Sequence, residues 1–373
     1  MTRRLLYFIT EDWYFVLHWL PLAAAARQAG YDVTVLTRVR DHGKIIRDAG
    51  LRLLPIELER RSVHPLRELR LTFRLARAYR STAPDIVHHI ALKPAVEGTL
   101  AARLAGVPCI VNSVVGLGWV FVGQSVAPRV LRRLLKTTAR WVFRRSIMTV
   151  PNSDDRNYFQ RLGVDARLIR GPGVDLREYT VSPEPTEGAP IVLLAARMLW
   201  DKGIGEFVEA ARLVRESGVP ARFVLVGTPD ASNPSSVPET RLAQWHDEGK
   251  VEWWGWRDDM PAVIAQSSIV CLPSYREGLP RIVMEAGACA RPVVAADAPG
   301  CREVVRHGEN GVLVRVRDAQ ALAGALRELL TDPALRARLG ARGRELAQTQ
   351  FAKEIAIRDT IALYAQCAGS ANQ

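Results

Sequence analysis

Two carboxylates and two cations in the second half of the chain have the types and spacing for work on a phosphorylated substrate. Glu277 and Glu285 are separated by seven residues in "SYREGLPRIVMEA", where Gly278 permits a tight turn and Pro280 suits the first position of a helix. The backbone N–H groups at such a helix start have no partner within the helix and attract phosphate. Glu277 then sits in the loop before the helix and Glu285 on about its second turn, so the two carboxylates do different jobs. Upstream, "AARMLWDKGIGEF" puts Arg197 and Lys202 where a strand ends and the next helix begins. A guanidinium fork and an ammonium point charge there neutralise a diphosphate. Either feature alone is a common surface arrangement; the combination is specific.

Residues so placed must be carried by strand ends and helix starts, and the chain supplies them twice. "LLYFIT", "DVTVLT", "DIVHHI", "CIVNSV" and "SIMTVPNS" alternate with helical stretches in the first half. "PIVLLAA", "RFVLVG", "VEWWG", "SIVCLPS" and "PVVAAD" repeat the pattern in the second. Alternation of this kind predicts parallel sheets covered on both faces. Between the two series, "SPEPTEGAP" is Pro-rich, acidic and without apolar period, and reads as a linker. The expected organisation is a first domain over 1–181, a linker over 182–190, a second domain over 191–350, and a C-terminal helix over 351–373 crossing back to the first. Ligands of doubly wound sheets bind at the carboxyl ends of strands, which places the expected site in a cleft between the domains.

The net charge of +12 belongs to the first half: residues 1–175 carry 28 Lys and Arg against 14 Asp and Glu, the remainder 23 against 25. Such an excess calls for an anionic partner. Two helical stretches concentrate it. "VAPRVLRRLLKTTARWVFRR" (126–145) has no acid, with Val130, Leu131, Leu134, Leu135, Val142 and Phe143 on one face. "HPLRELRLTFRLARAYR" spaces Arg67, Arg70, Arg74 and Arg77 opposite Leu66, Leu69, Phe73 and Ala76. These helices, 66–80 and 126–145, are expected to dock on an anionic membrane surface, with a plain solvated basic face as the alternative. Nucleic acid is not expected, since no recognised binding module accompanies the charge. Five cysteines form no CxxC pair, which favours reduced cytoplasmic thiols, and the scattered histidines suggest no metal cluster. Glu11, Asp12 and His18 interrupt the apolar start, so a cleaved signal peptide is not expected.

A Glu, seven residues and a second Glu, preceded by an Arg and a Lys-Gly on an earlier turn, resembles the pattern of family 4 retaining glycosyltransferases. That resemblance covers nearly the whole chain and implies the α/β fold called GT-B, two Rossmann-like doubly wound domains facing each other across a cleft. It implies that Arg197 and Lys202 bind the diphosphate of a UDP-sugar and that Glu285 holds the ribose hydroxyls. Glu277, with the backbone of Gly278 and Leu279, faces the donor sugar; Trp256 and Arg257 of "WGWRDDM" stand beside the base. "LPSYREGLPRIVMEA", "FVLVGTPDASNPSS" and "LKPAVEGTLAARLAGVP" are similar to the transferases that extend undecaprenyl-diphosphate-linked sugars, which implies an anionic, membrane-bound acceptor and an N-acetylhexosamine donor. On the acceptor side the resemblance points to Lys93 and Gly116. Many members have a His after the strand that here reads "CIVNSV", where this chain has "VVGLGW"; His18, in the loop-to-helix turn "EDWYFVLHW", is the candidate substitute.

The same resemblance implies attack on the face from which the nucleotide leaves, without a protein nucleophile. Metal independence is expected, because two cations serve the diphosphate and the chain has no Asp-x-Asp triplet. A glycosidase needs paired carboxylates but neither the cations nor the phosphate-ready helix end. A sugar-nucleotide epimerase shares the architecture and is separated by product analysis without acceptor. "VEWWGW" reads as mostly core strand, and 227–239 as a mobile loop in which Asn233 approaches a substrate.

Overall fold

The computed structural model describes residues 2–58, 64–117, 121, 126–231 and 233–370. The chain forms two compact units, Met1–Pro172 with Glu354–Gln373, and Gly173–Lys353. In the first, β1 (Arg4–Glu11), β2 (Asp32–Arg38), β3 (Arg52–Pro55), β4 (Ile86–Ile90), β5 (Cys109–Ser113), β6 (Ile147–Val150) and β7 (Ala166–Leu168) make one parallel sheet. Its order is β3-β2-β1-β4-β5-β6-β7, a doubly wound topology. The second unit repeats the plan with β8 (Ile191–Ala195), β9 (Arg222–Val226), β10 (Glu252–Trp253), β11 (Ile269–Leu272), β12 (Val293–Ala296) and β13 (Gly311–Val314), ordered β10-β9-β8-β11-β12-β13.

Period two explains why both faces of each sheet must be covered. Along β1, Leu5, Tyr7 and Ile9 enter one core while Leu6 and Phe8 enter another. Val192 and Leu194 of β8 likewise part from Ile191 and Leu193. A strand apolar on both faces is stable only between two helical layers. The sequence 182–190, read as a linker, lies within the second unit. Buried Arg291 donates to the Ser182 and Pro183 carbonyls, and Arg336 pairs with Glu184 at 2.9 Å.

The C-terminal helix Lys353–Ser370 is fastened to the first unit's sheet by polar contacts as well as packing. The Tyr364 hydroxyl lies 2.9 Å from that of Tyr7 and 2.6 Å from His88 Nδ1, while His88 Nε2 meets Ser113 Oγ at 2.6 Å. Cys109 and Cys367, expected as free thiols, form a disulfide between β5 and this helix; Cys271, Cys289 and Cys301 are free and buried. With the two partners 258 positions apart in sequence, only the docking of the helix brings them together.

His88 and His89 project to opposite sides of β4, both fully buried. His89 Nδ1 meets Asn112 at 2.8 Å, and a Cβ on Gly98 would stand 2.5 Å from its ring, so glycine makes room for it. Burial disfavours the charged rings and lowers them to about 3 for His88 and about 4 for His89. Unfolded histidine titrates near 6.5. Each therefore contributes stability that is present above about pH 6.5 and lost as pH falls toward its folded value, about 1.4 kcal/mol per pH unit. The ring proton resonances of both are expected to hold neutral positions from about pH 8 down to about 5, where an exposed histidine is mostly protonated. Titration of either ring within that range would contradict this account.

Candidate functional site

The second unit builds a charged cluster at the carboxyl ends of β8, β9 and β11. β8 runs into a 3-10 turn, Trp200–Lys202, closed by Gly203 at φ +75. A Cβ on Gly203 would stand 2.3 Å from the carbonyl oxygen of Pro273, so only glycine lets this turn lie against the loop after β11. A hydrogen bond then stitches the two segments: Tyr275 N–H donates to the Asp201 carbonyl at 2.9 Å, with Ser274 Oγ 3.3 Å from the same oxygen. Lys202 Nζ arrives 2.5 Å from Glu277 Oε1, and Ser274 Oγ donates to the same oxygen at 2.6 Å. Both members of the ion pair are largely shielded from solvent.

The Glu277 loop is held from behind. Its N–H donates to the Pro299 carbonyl at 2.9 Å, and Gly300, at φ +82, lies so close that a Cβ would stand 2.5 Å from the Glu277 carbonyl oxygen. Gly278 and Leu279 are half-buried in the same loop. The helix that follows is Arg281–Ala288, with Pro280 at its N-cap rather than its first turn. Glu285, one turn in, is buried and 2.9 Å from Arg281. Burial pushes its carboxyl up, opposed by Arg281 and a hydrogen bond from Tyr179.

Arg197 follows β8 and pairs with Asp230 at 2.9 Å. The segment 227–239, read as mobile, is laced to the β8 turn instead. Trp200 N–H donates to the Ser235 carbonyl at 2.7 Å, Ser235 Oγ to Asp201 at 3.1 Å, and Val237 N–H to the Met198 carbonyl at 2.9 Å. Asn233 turns inward on its own loop, accepting from Ser235 N–H at 3.1 Å; Ser232 lies outside the described residues. Of "VEWWGW", read as mostly core strand, only Glu252–Trp253 is strand, because Trp253 Nε1 donates to the Gly227 carbonyl and Gly255, at φ +67, turns the chain away. Trp256 stands out from this loop, 70% exposed, and Arg257 forks onto Asp259 at 2.7 and 2.5 Å.

The structure thus brings Lys202, Glu277, Gly278 and Leu279 together. Sequence reasoning missed Ser274, Asp201 and Gly300 around them, Asp230 beside Arg197 and Tyr179 beside Glu285. Asp201 and Ser274 adjoin named residues, whereas Asp230 and Gly300 carry no local signal.

In the first unit His18 is the last residue of the helix Asp12–His18, not part of a turn before a helix, and its ring lies 4.5 Å from that of Tyr14. Lys93, at the head of the helix Leu92–Ala105, lies 3.0 Å from Glu68 and 3.7 Å from Glu97. Burial and the neighbouring Glu68 push the Glu97 carboxyl up to about 9. Gly116 is exposed after β5, and residues 118–120 and 122–125, just beyond it, lie outside the described residues.

The two basic helices differ from expectation. On the helix Pro65–Thr82, Leu66, Leu69 and Phe73 are exposed while Leu71, Leu75, Ala76 and Tyr79 are buried. On the helix Val126–Val142, Val130, Leu134 and Trp141 are exposed while Leu135, Ala139 and Val142 are buried. Each helix has two apolar faces, one for its own core and one outward, and at 3.6 residues per turn the arginines adjoin the outward face rather than oppose it. No described helix is long and apolar enough to cross a membrane.

Gly203→Ala is expected to cost roughly 1 kcal/mol or more, because alanine must take a left-handed φ and push Pro273 back. The urea midpoint checks it, and an unchanged midpoint would mean that the Lys202 turn does not depend on this contact.

Residues 4–147 match the family described as glycosyl transferase 4-like, and residues 189–332 the family described as glycosyl transferases group 1. The N,N'-diacetylbacillosaminyl-diphospho-undecaprenol alpha-1,3-N-acetylgalactosaminyltransferase of Campylobacter jejuni is 29% identical over 336 residues, covering 86% of this chain and 87% of its own. The UDP-Gal:alpha-D-GlcNAc-diphosphoundecaprenol alpha-1,3-galactosyltransferase of Escherichia coli is 25% identical over 291 residues, 74% of each chain. Among solved structures, Anabaena Alr3699/HepE in complex with UDP superposes with a TM-score of 0.78 at 19% identity, over 98% of this chain and all of that one. Sucrose-phosphate synthase from Thermosynechococcus elongatus superposes with a TM-score of 0.79 at 20% identity, over 99% of this chain and all of its own. The fold is GT-B, and the chain belongs to the family 4-like, group 1 glycosyltransferases.

Proposed function

We propose that this glycosyltransferase moves a sugar, N-acetylhexosamine, from a UDP-sugar to a polyprenyl-diphosphate-linked saccharide with retention of anomeric configuration, in the assembly of a cell-surface glycan. The observation that carries this reading is the pair of Lys202 and Glu277 ahead of the helix Arg281–Ala288, with Arg197 held on Asp230 after the same strand as Lys202, in the unit that matches the group 1 family. The relatives from Campylobacter jejuni and Escherichia coli, named for transfer to diphosphoundecaprenol-linked sugars, support the acceptor; the UDP complex of Anabaena HepE supports the nucleotide.

In this reading Arg197 and Lys202 hold the donor diphosphate, Glu285 the ribose, Trp256 and Arg257 the base, and Glu277 with Gly278 and Leu279 the donor sugar. Lys93 and Gly116 serve the acceptor, and His18 the acceptor hydroxyl. The bond from the anomeric carbon to the UDP oxygen breaks as the acceptor oxygen bonds to that carbon on the same face. The acceptor proton passes to the departing phosphate. The protein's task is to stabilise negative charge growing on UDP, which fixed cations and oriented N–H groups do without reorganising. No metal is assigned to the reaction.

The exposed apolar stripes, Leu66, Leu69 and Phe73 on one helix and Val130, Leu134 and Trp141 on the other, each bordered by arginines, suit a protein bound peripherally to the anionic cytoplasmic face of the membrane. There the acceptor is within reach.

Turnover of a panel of UDP-, GDP- and ADP-sugars, with and without a short polyprenyl-diphosphate-linked sugar, tests the reaction. Acceptor-dependent release of UDP is expected, and conversion of a sugar nucleotide without acceptor would overturn it. Arg197→Ala and Lys202→Ala are each expected to lower kcat by about 10²–10³-fold with circular dichroism unchanged; full activity in both would remove them from the donor site. Flotation with phosphatidylglycerol-containing vesicles should fall several-fold in Phe73→Asp and Trp141→Asp, and weaken as salt rises. Equal flotation of both variants and the parent would exclude these stripes as the membrane contact.

A further inference from the structure

Glu285 is held by more than its own helix. Its side chain is 8% exposed, and a carboxylate so placed needs donors to stay ionised. Arg281, one turn earlier, supplies one at 2.9 Å. Another comes from outside the helix, where the Tyr179 hydroxyl donates to the Glu285 carboxylate. Tyr179 is buried and belongs to the segment by which the chain enters the second unit at Gly173. That segment is fixed independently of Glu285. Tyr179 N–H donates to the Asp175 carbonyl at 2.9 Å, and Asp175 pairs with Lys353. Arg344 Nη1, on the helix Pro333–Leu346, donates to the Tyr179 carbonyl at 2.9 Å and to the Ala288 carbonyl at 2.7 Å. Ala288 ends the helix that carries Glu285. One guanidinium therefore ties the Tyr179 backbone to that helix, and the tyrosine ring spans the distance between them.

We propose that Tyr179 is a positioning residue for the nucleotide: its hydroxyl fixes the Glu285 carboxylate in the orientation that accepts the ribose hydroxyls. The inference rests on the reading of Glu285 given above and adds the residue that prepares it. An ionised carboxylate only accepts, whereas a carboxylic acid presents a proton of its own to a ribose hydroxyl. Arg281 and Tyr179 take part of the roughly four lone-pair sites of the carboxylate and leave the remainder for the ribose. Burial, and after it the charge of Glu285, push the Tyr179 phenol far above its ordinary value, so it remains a donor at neutral and alkaline pH alike. Burial also pushes the Glu285 carboxyl up, and Arg281 and the Tyr179 hydrogen bond oppose that rise. Of the other groups around it, Glu178 favours the neutral carboxyl, and Cys289, its thiol pushed up to about 11 by burial, carries no charge near neutral pH. Loss of the Tyr179 hydroxyl then moves the ionisation of Glu285 to higher pH.

The test is the affinity of the full chain for UDP and for dideoxy-UDP, which lacks both ribose hydroxyls, measured by calorimetry across pH in the parent, Tyr179→Phe and Glu285→Gln. Tyr179→Phe is expected to weaken UDP by about tenfold, the scale of one hydrogen bond to a charged group, and to leave dideoxy-UDP unchanged. The unchanged affinity verifies that the variant is folded with its base and diphosphate sites intact. The diphosphate titrates in both nucleotides, so UDP affinity is read relative to dideoxy-UDP. That ratio should begin to fall toward acid at a higher pH in Tyr179→Phe than in the parent. In turnover, the KM for the UDP-sugar should rise while kcat is held.

Equal weakening of both nucleotides would make Tyr179 a packing residue and overturn the proposal, as would parent affinity for UDP with an unmoved pH profile. Glu285→Gln separates this failure from failure of the reading beneath it. UDP weakened in Glu285→Gln but not in Tyr179→Phe leaves Glu285 on the ribose and removes Tyr179. A preference for UDP over dideoxy-UDP that is equal in all three proteins removes Glu285 from the ribose, and the proposal with it.

Discussion

Lys202 and Glu277 lie 75 residues apart and meet because Gly203 carries no side chain. The contact between that glycine and the Pro273 carbonyl sets how deeply the turn after β8 sinks against the loop after β11. From this depth follow the Tyr275–Asp201 hydrogen bond, the Ser274 bond to Glu277 and the register of the helix Arg281–Ala288. Gly300 plays the same part on the other side of the Glu277 loop. Two close backbone approaches, each closed to any L side chain, thus place a carboxylate and an ammonium at the ends of different strands.

The charged groups share one arrangement. Arg197 with Asp230, Lys202 with Glu277, Arg257 with Asp259, Arg281 with Glu285 and Lys93 with Glu68 each join a cation to a carboxylate. The physical reason is self-energy. A cation partly removed from water needs an anion near it, and a carboxylate on an adjoining loop supplies one without closing the site to exchange. Such pairs orient the long side chains before any substrate arrives, which lowers the entropy lost on binding. The first unit treats apolar surface in two ways: two helices use one face for their own core and leave a second, bordered by arginines, exposed.

Much of the fold was legible because it rests on local patterns. Period-two strands alternating with amphipathic helices announced two doubly wound sheets, and the strand runs quoted from the sequence overlap observed strands. The seven-residue spacing of Glu277 and Glu285 placed one in a loop and the other on the helix after it, as observed. Where the reading failed, non-local contacts had decided. Residues 227–239 look mobile from their composition but are pinned by Ser235 to the β8 turn. "VEWWGW" looks like core strand but turns out at Gly255 once Trp253 has bonded to Gly227.

The sequence by itself determined the class of architecture, the placing of Glu277 in a loop and Glu285 on the helix after it, and the basic character of the first half, since each is a matter of periodicity, spacing or count. Tertiary structure alone decided which carboxylate each cation meets, which of two apolar faces a basic helix buries, and that Cys109 pairs with Cys367 across 258 residues. The reason is the same in all three cases. Partnership depends on which strand ends and helix faces are brought within a few ångströms, and that is fixed by the order of strands in the sheets, information that no window of sequence contains.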